Sequence, residues 1–223
     1  SKLSTPKQLE AYRQLVKAGK LARVKDEGDV DAALKGAAKS FDVEYQMPYL
    51  AHACMEPMNA TALVKDGKCE MWAGTQGQSQ DAQIVAKALG LAPTDVAIHT
   101  VFLGGGFGRR ASTGSDFMIE AAQVAQALGR AVPVKLFWSR EDDMHAGYFR
   151  PFTVNRVRGG VDAAGKAMAL HHVTVGNSVF EVSPLKPMIV KNGVDPTQME
   201  GSAETPYEIP NRRHESLIVT EAV

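Results

Sequence analysis

The chain has 223 residues, of which 44% are apolar and 22% are charged. This composition is typical of a folded globular protein and excludes a disordered chain. Its 25 basic and 25 acidic side chains give a net charge of zero, so the charge does not favour a nucleic acid or an anionic membrane as a partner. Because no apolar run reaches about 18 residues, we predict no transmembrane segment.

The two cysteines, Cys54 and Cys69, are too few for a disulfide framework and form neither a CxxC pair nor a zinc-ligand spacing. Two free thiols are the favoured interpretation, and a single bridge between them is the alternative.

The first 40 residues predict a helical lead-in. Thr5 and Pro6 form a typical helix start, apolar side chains follow at helical spacing, and Gly19 ends the segment. A second short helix is predicted over 29–38. Neither helix carries residues that suggest chemistry.

Residues 41–223 predict an α+β fold in which a mixed β-sheet is covered by helices, in the order ββαβαβ. Asp66-Gly67 separates two short β-prone runs and is a strong hairpin signal. The predicted elements are strands over 59–65, 68–74, 96–103 and 133–138, and helices over 79–89 and 116–128. A second hairpin is predicted from 153–162 and 166–175, and a last strand near 215–220.

A glycine-rich turn, Gly104–Gly108 with Phe107 as its one side chain, follows directly on a predicted strand. Consecutive glycines weaken a strand, but they permit unusual dihedral angles and let the backbone approach a ligand closely. The spacing fits neither nucleotide motif, because a dinucleotide fingerprint from Gly104 would need glycine where Arg109 stands, and a P-loop would end in Gly-Lys-Ser/Thr. A tight strand-to-helix turn without a ligand is the alternative interpretation.

A polar segment, Thr75–Gln80, lies where the first hairpin gives way to a helix and reads TQGQSQ. Backbone amides at a helix start, together with side-chain amides, can donate hydrogen bonds to an oxo group or an anion. Taken alone, the segment is better interpreted as a helix cap in a polar loop.

The spacing of these two segments is more specific than either segment alone. Gln76 precedes Phe107 by 31 positions, with a helix and a strand predicted between them. This arrangement resembles the molybdenum-cofactor-binding large subunits of the xanthine dehydrogenase/aldehyde oxidase family. The resemblance implies that the Gln76 side chain contacts the oxo ligand of molybdenum. It also implies that the backbone of Phe107 and Gly108 lies against the metal and the pterin, with Gly105 and Gly106 allowing the close approach.

Other stretches resemble the same family, so that the resemblance covers roughly residues 40–223. These stretches are Tyr45–Tyr49, His52–Pro57 and Trp138–Asp143. Arg109-Arg110 departs from the xanthine oxidase pattern, in which Gly-Lys follows the glycine turn. Together with Met55-Glu56-Pro57, this departure is similar to the bacterial isoquinoline 1-oxidoreductase beta-subunit type.

The resemblance implies a molybdopterin-dependent oxidoreductase that hydroxylates an aldehyde or an N-heterocycle, with water as the oxygen source. The implied cofactor is molybdopterin cytosine dinucleotide with molybdenum, and the implied partner is a small subunit with a 2Fe-2S cluster. The catalytic glutamate and the second cofactor-binding half of that family are not located in this sequence. We therefore expect a fragment, with 41–223 the truncated first part of the molybdopterin-binding domain, inactive and without molybdenum by itself. The cytoplasm and the periplasm both stay open as its compartment.

Two other classes of protein stay open at this point. One is a non-catalytic binding or scaffold module that keeps the glycine turn, and the other is an unrelated nucleotide-binding α/β domain. The sequence that continues the chain in the parent protein would discriminate them, because a late glutamate and a further cofactor loop are expected only in the hydroxylase.

Two groups of residues could be mistaken for metal ligands. His52, Cys54 and Glu56 alternate by two and would share one face of a strand. The resemblance implies a structural role for that segment, and we predict no metal held by protein ligands. His171 and His172 are neighbours on a predicted strand, so they point to opposite faces and cannot form one chelate.

Overall fold

A computed structural model describes residues 4–181, 183 and 185–220. In chain order its helices are α1 (Thr5–Ala18), α2 (Val30–Lys35), α3 (Gln78–Leu89), α4 (Asp116–Leu128), α5 (Arg140–His145) and α6 (Lys186–Ile189). Its strands are β1 (Ala22–Glu27), β2 (Lys39–Met47), β3 (Leu50–Ala51), β4 (Asn59–Lys65), β5 (Lys68–Ala73), β6 (Val96–Thr100), β7 (Val134–Phe137), β8 (Phe149–Arg150), β9 (Thr153–Val161), β10 (Ala167–Gly176) and β11 (Asn211–Ile218). Within these residues no helix is long and apolar enough to cross a membrane.

The chain forms two compact units. Leu50–Arg150 is the central unit. The residues up to Tyr49 and those from Pro151 onward together form the second one, which we call the discontinuous unit.

The central unit contains a four-stranded mixed sheet in the order β6-β5-β4-β7. Strands β4 and β5 form an antiparallel hairpin, whose turn residues Asp66 and Gly67 have φ values of 50° and 74°. Two positive φ angles at a two-residue turn match the right-handed twist of the paired strands, which is why Asp-Gly occupies this position. Strand β6 runs parallel to β5, and the connection between them contains α3.

Helices α3 and α4 pack on this sheet and close the core of the central unit. Apolar residues recur along each helix at the spacing that places them on one face. The buried set comprises Val85, Ala86 and Leu89 of α3, Phe117, Met118, Ala121, Ala122 and Ala125 of α4, and Ala60, Ala62, Cys69, Met71 and Ala73 of the sheet. The predicted ββαβαβ order and the predicted grouping of hairpin, helix and strand in one unit are confirmed.

The discontinuous unit contains a five-stranded sheet in the order β1-β11-β10-β9-β2. Strands β9 and β10 form the second predicted hairpin, and β11 runs parallel to β10. Helix α1 packs on this sheet through Tyr12, whose ring meets that of Phe152 edge to face at 5.2 Å between centroids. Val154, Val173 and Val175 are buried in the same cluster.

The structure corrects the predicted helical lead-in over 1–40. Between its two helices lies β1, and Lys39 already belongs to β2. Strand β1 pairs with β11 near the other end of the chain, with Ala22 opposite Ser216. Pairing over such a distance leaves little trace in the local hydrophobic pattern, and β2 on the far edge is exposed along nearly its whole length. The unit boundaries therefore lie at 49/50 and 150/151 and not at residue 40.

Candidate functional site

The polar segment Thr75–Gln80 and the glycine-rich turn meet at one edge of the sheet in the central unit. Strands β5 and β6 are parallel and end side by side, with Ala73 opposite Thr100. Segments that follow the carboxyl ends of neighbouring parallel strands lie together, which is where open α/β sheets bind ligands. Gly108 N donates to Gln76 Oε1 at 3.2 Å, and Gln76 N donates to Arg110 O at 3.1 Å. The structure thus brings Gln76 and the glycine turn into contact, as the sequence predicts.

The turn has a left-handed backbone at two successive residues, and it is strained at Phe107, because glycine adopts this conformation without steric cost. Phe107 has φ 52° and Gly108 has φ 94°, both in the left-handed region. For a residue with a side chain this conformation costs about 1 kcal/mol or more, so the surrounding contacts must maintain it. The Phe107 side chain is 77% exposed and does not itself provide those contacts through burial.

Gly106 is required by the approach of Gln76. A Cβ atom at this position would lie 2.5 Å from Gln76 Oε1 and 3.0 Å from its Cδ. Such distances are shorter than real contacts, so a side chain at residue 106 would displace the carboxamide from the turn.

The Gln76 carboxamide accepts a hydrogen bond at its oxygen, and its nitrogen is available as a donor. Because a backbone N–H binds its Oε1, the orientation of the amide is determined by the hydrogen-bond network. No hydrogen bond of Nε2 is found within the described residues, and the residue is exposed. A neutral donor therefore stands at the surface beside a strained, side-chain-poor turn, and it can bind an oxo group or an anion.

Beneath the turn lies the fully buried side chain of Arg110. Its Nε donates to Gly105 O at 3.0 Å, its Nη1 to Gly74 O at 3.1 Å and its Nη2 to Glu56 O at 3.2 Å. Nη2 also forms an ion pair with Glu56 Oε2 at 2.9 Å. One guanidinium thus connects the turn, the end of β5 and the segment around residue 56.

Glu56 binds the first residue of the turn from the other side. Its Oε2 accepts from Gly104 N at 2.9 Å, and its backbone N donates to Gly104 O at 3.0 Å. Asn59 Nδ2 donates to Oε1 at 2.9 Å. Although burial raises the pKa of Glu56, hydrogen bonds from Asn59 and Gly104 and the charge of Arg110 outweigh that effect, and the pKa lies below its usual value. The carboxylate is therefore the charged partner that a buried arginine requires.

Arg109 is the second buried arginine, and its side chain is 3% exposed. It forms two hydrogen bonds with the carboxylate of Asp116, at 3.0 Å and 2.7 Å. Its guanidinium lies over the rings of Trp138 and Tyr148, at 5.3 Å and 5.6 Å from their centroids. These contacts attach the first turn of α4 to the segments that follow it in the chain.

A buried carboxyl group, Asp81 of α3, supports the segment that carries Gln76. The hydroxyl groups of Thr75 and Ser115 both donate to it. Thr75 also accepts from Gly77 N at 2.9 Å. Burial raises the pKa of Asp81, and the two hydroxyl donors oppose that effect only in part.

Comparison with known proteins identifies the family. Residues 14–221 match the family described as the molybdopterin cofactor-binding domain. The chain belongs to this family. The resemblance drawn from Gln76 and the glycine turn is thereby confirmed at the level of the family.

Curated relatives of this molybdopterin cofactor-binding chain include two bacterial oxidoreductases. It is 41% identical over 162 residues to the membrane-bound aldehyde dehydrogenase (pyrroloquinoline-quinone) of Gluconacetobacter polyoxogenes, which covers 72% of this chain and 20% of that protein. It is 35% identical over 142 residues to isoquinoline 1-oxidoreductase subunit beta of Brevundimonas diminuta, which covers 63% of this chain and 17% of that protein. The chain thus spans about a fifth of the length of the curated relatives that it matches.

Among solved structures, the aldehyde oxidoreductase from Desulfovibrio gigas has a similar fold. The TM-score is 0.68 at 21% identity, over 88% of this chain and 20% of that one. At this identity the likeness concerns the fold alone, and it agrees with the predicted α+β architecture.

The residues that resembled metal ligands have other roles in the molybdopterin cofactor-binding chain. His52, Cys54 and Glu56 do not lie on a strand: they follow β3 in an irregular segment. Cys54 Sγ donates to Gly106 O at 3.4 Å, and Glu56 pairs with Arg110. Among the residues that the structure describes, no group of three His, Cys, Asp or Glu side chains could hold a metal ion.

Both cysteines are free and buried, as favoured from the sequence. Burial raises the pKa of the Cys69 thiol to about 11 and also raises that of Cys54. Thiols with raised pKa values are neutral and poorly nucleophilic, so they pack as small apolar groups.

His171 and His172 bind different partners on the two faces of β10. His171 Nε2 lies 2.7 Å from Glu215 Oε2, whereas His172 Nδ1 lies 2.8 Å from Ser202 Oγ. The prediction that they point to opposite faces of the strand is confirmed.

Sequence reasoning missed the buried polar network under the turn. In the sequence, Arg110 stands out only as a departure from the xanthine oxidase pattern, and Glu56 only as part of a matching stretch and as an apparent metal ligand. One signal was present, since two adjacent arginines directly follow the glycine run. Burying such arginines is costly unless acidic side chains are buried with them. Which carboxylates those are depends on contacts 54 and 7 residues away, to Glu56 and Asp116, and no local pattern shows them.

Proposed function

We propose that this chain is the first cofactor-binding part of the molybdenum-binding subunit of a hydroxylase, with residues 41–223 carrying one wall of the cofactor site. The parent enzyme would oxidise an aldehyde or an N-heterocycle and take the added oxygen from water. The names of the two curated relatives, an aldehyde dehydrogenase and an isoquinoline oxidoreductase, support these two substrate classes.

One observation carries the proposal. The hydrogen bond from Gly108 N to Gln76 Oε1 holds a side-chain amide against the strained Phe107–Gly108 backbone. Gly106 has no side chain, and a Cβ there would fill the space that Gln76 occupies. Neutral donors beside exposed backbone suit an oxo group, because they stabilise negative charge on oxygen without replacing a ligand of the metal.

In this proposal each residue has a defined role. Gln76 would donate from Nε2 to an oxo ligand of molybdenum, and the backbone of Phe107 and Gly108 would lie against the pterin and the metal. Gly105 and Gly106 would permit that approach. When bound, the molybdenum cofactor would supply the two-electron redox chemistry, while the chain positions it and keeps donors oriented.

The dinucleotide form of the cofactor and the identity of the partner subunit are inferred from the family resemblance. We propose molybdopterin cytosine dinucleotide, and a small subunit with a 2Fe-2S cluster as the route by which electrons leave. The catalytic glutamate would come from a part of the parent protein other than these 223 residues. The chain alone would then be inactive and would hold no molybdenum.

The test uses the full-length parent purified with its partner subunits. Elemental analysis should find about one molybdenum per large subunit, and acid hydrolysis of the cofactor should release cytidine monophosphate. Turnover of benzaldehyde or isoquinoline in ¹⁸O-labelled water should place the label in the acid or the lactam. The isolated 223-residue chain, purified from the same host, serves as the control without molybdenum.

Two results would contradict the proposal. A parent enzyme that contains pyrroloquinoline quinone and no molybdenum would make the quinone named for the Gluconacetobacter relative the cofactor here as well. A parent that contains molybdenum but releases no cytidine monophosphate would overturn only the dinucleotide form.

A further inference from the structure

We propose that Arg110, paired with Glu56, is the positioning residue of this site: it holds Gln76 and the glycine turn at their mutual distance. Its effect on turnover rests on the proposed function, whereas its effect on the turn itself does not.

The first argument is the set of atoms that Arg110 joins. Its guanidinium binds the carbonyl oxygens of Gly74 and Gly105, at 3.1 Å and 3.0 Å. Gly74 lies two residues before Gln76, and Gly105 lies two residues before Phe107. A rigid planar fork that binds both carbonyls therefore determines how far apart the two segments lie.

The second argument is the closed loop of contacts through Glu56. Glu56 Oε2 accepts from both Arg110 Nη2 and Gly104 N, each at 2.9 Å. A Cβ on Gly104 would lie 2.3 Å from the Cβ of Glu56, so the turn packs directly on this residue. With Gly104 and Gly105 held from below, the left-handed conformation of Phe107 and Gly108 is imposed on the rest of the turn.

The third argument is the contrast with Arg109. Both arginines are buried and both are paired with a carboxylate. Arg109 binds Asp116 and stacks on Trp138 and Tyr148, and within the described residues its side chain has no hydrogen bond to a carbonyl of the turn. Arg109 and Arg110 are thus a matched pair of buried arginines, of which, in the part of the chain that the structure describes, only Arg110 binds a carbonyl of the turn through its side chain.

The consequence concerns geometry and not charge alone. Lysine at position 110 would keep one positive charge for Glu56, but its single ammonium group cannot reproduce the fork that binds two carbonyls and a carboxylate. The turn would open more often, and Gln76 would lose its register with the Phe107–Gly108 backbone. In the loaded enzyme this lowers turnover more than substrate affinity, because the interaction at risk is one that strengthens in the transition state.

The experiment compares Arg110→Lys with Arg109→Lys in the full-length parent, produced both with its cofactor and in a host that makes no molybdopterin. In the cofactor-free protein, hydrogen–deuterium exchange followed by mass spectrometry measures opening of the peptide over 101–111. We expect Arg110→Lys to raise its exchange rate at least about tenfold, the effect of losing one hydrogen bond to a charged group. Arg109→Lys should leave that rate within about twofold of wild type, even where global unfolding shows a similar loss of stability.

A second variant, Glu56→Gln, keeps the side-chain shape and removes the charge, and it should raise the same exchange rate by a smaller factor. In the loaded enzyme, Arg110→Lys should lower kcat with KM within about twofold of wild type, whereas Arg109→Lys should leave kcat unchanged at matched molybdenum content.

Equal exchange over 101–111 in Arg110→Lys and in wild type, or an equal rise in Arg109→Lys, overturns the positioning role. If the wild-type parent binds no molybdenum, the proposed function fails, and the exchange comparison in the cofactor-free protein still decides the role of Arg110.

Discussion

The central unit and the discontinuous unit both contain many charged and polar side chains, but they bury different ones. In the central unit the side chains of Arg109 and Arg110 are 3% and 0% exposed, and each binds a carboxylate. In the discontinuous unit the Arg156–Asp42 pair is 40% and 46% exposed, and the buried titratable residues include His171, His214 and Asp195.

The difference has a consequence for pH dependence. A guanidinium keeps its charge at every pH that a protein experiences, so in the network under the glycine turn only Glu56 titrates, with a pKa below its usual value. Burial, with the nearby charges of His214 and His171, lowers the pKa of His172 to about 4. Protonation of such an imidazole is unfavourable, so this histidine should make the discontinuous unit less stable in acid. The two buried arginines of the central unit do not titrate, whereas burial raises the pKa of its Asp81.

The largest expected effect comes from breaking a buried pair in the central unit. Asp116→Ala leaves the Arg109 guanidinium buried without its carboxylate, and we expect the free energy of unfolding to fall by about 3 kcal/mol. Urea unfolding followed by tryptophan fluorescence measures this, because Trp72 and Trp138 are the two tryptophans of the sequence and both lie in the central unit. Asp42→Ala, which breaks the exposed pair with Arg156, is the control. It should lower the free energy of unfolding by less than about 1 kcal/mol, measured by urea unfolding followed by circular dichroism. Equal losses would remove the distinction between the units.

The next effect concerns turnover and not stability. In the parent enzyme Gln76→Ala should lower kcat by about 10²-fold, because one preorganised donor is lost where charge develops. KM and molybdenum content should change little. Gln123→Ala makes the same chemical change at an exposed position of α4 and should leave kcat as in wild type. If Gln76→Ala keeps both its molybdenum and its full turnover, Gln76 is only a polar residue at the start of a helix and has no role in turnover.

Acidification should lower the stability of the two units to different extents. The folded-state pKa of His172 lies below the usual value of 6.5, so the unfolded chain binds a proton that the folded chain does not. Its stabilising contribution is complete above the unfolded pKa and is lost as the pH falls toward about 4. Between about pH 7.5 and about pH 5 this group alone should remove about 2 kcal/mol of protection from amide exchange in β10.

The control for the acid effect is His172→Gln, which should abolish the share of the pH dependence in β10 that His172 causes, while His171 and His214, whose pKa values burial also lowers, keep the rest. Strand β4 of the central unit should change less, since the arginines there do not titrate and the raised pKa of Asp81 acts in the opposite direction. A variant that keeps the full acid sensitivity would show that other groups cause it.

The smallest effect on stability is expected at the turn itself. A Cβ at residue 106 meets only the end of an exposed, flexible side chain, so Gly106→Ala should change the free energy of unfolding by less than about 0.5 kcal/mol. It should still lower turnover of the parent about tenfold, because the Gln76 carboxamide has to move. Gly36→Ala, where the added Cβ meets nothing closer than 3.5 Å, is the matched control for both measurements. Unchanged turnover in Gly106→Ala would mean that the contact between Gln76 and the turn is dispensable.

The candidate site was predictable in part. The juxtaposition of Gln76 with the glycine turn was implied by the family resemblance, and the structure has them in contact at the ends of two neighbouring parallel strands. The strained conformation of Phe107 was not predictable, because nothing in the local sequence requires a phenylalanine to adopt a positive φ. In our proposal, the contacts that Arg110 and Glu56 make with the residues just before it maintain that conformation.

The amino-acid sequence by itself determined the elements whose signals are local: the Asp66-Gly67 hairpin, the helices at Gln78–Leu89 and Asp116–Leu128, and the glycine turn. Those signals lie in hydrophobic periodicity and turn chemistry, which act over a few residues. Only the tertiary structure decided that β1 pairs with β11, that most strands divide between a four-stranded and a five-stranded sheet, and that Arg110 pairs with Glu56. Each of these depends on which distant segment completes a sheet edge or neutralises a buried charge, and that choice is made by the packing of the whole unit.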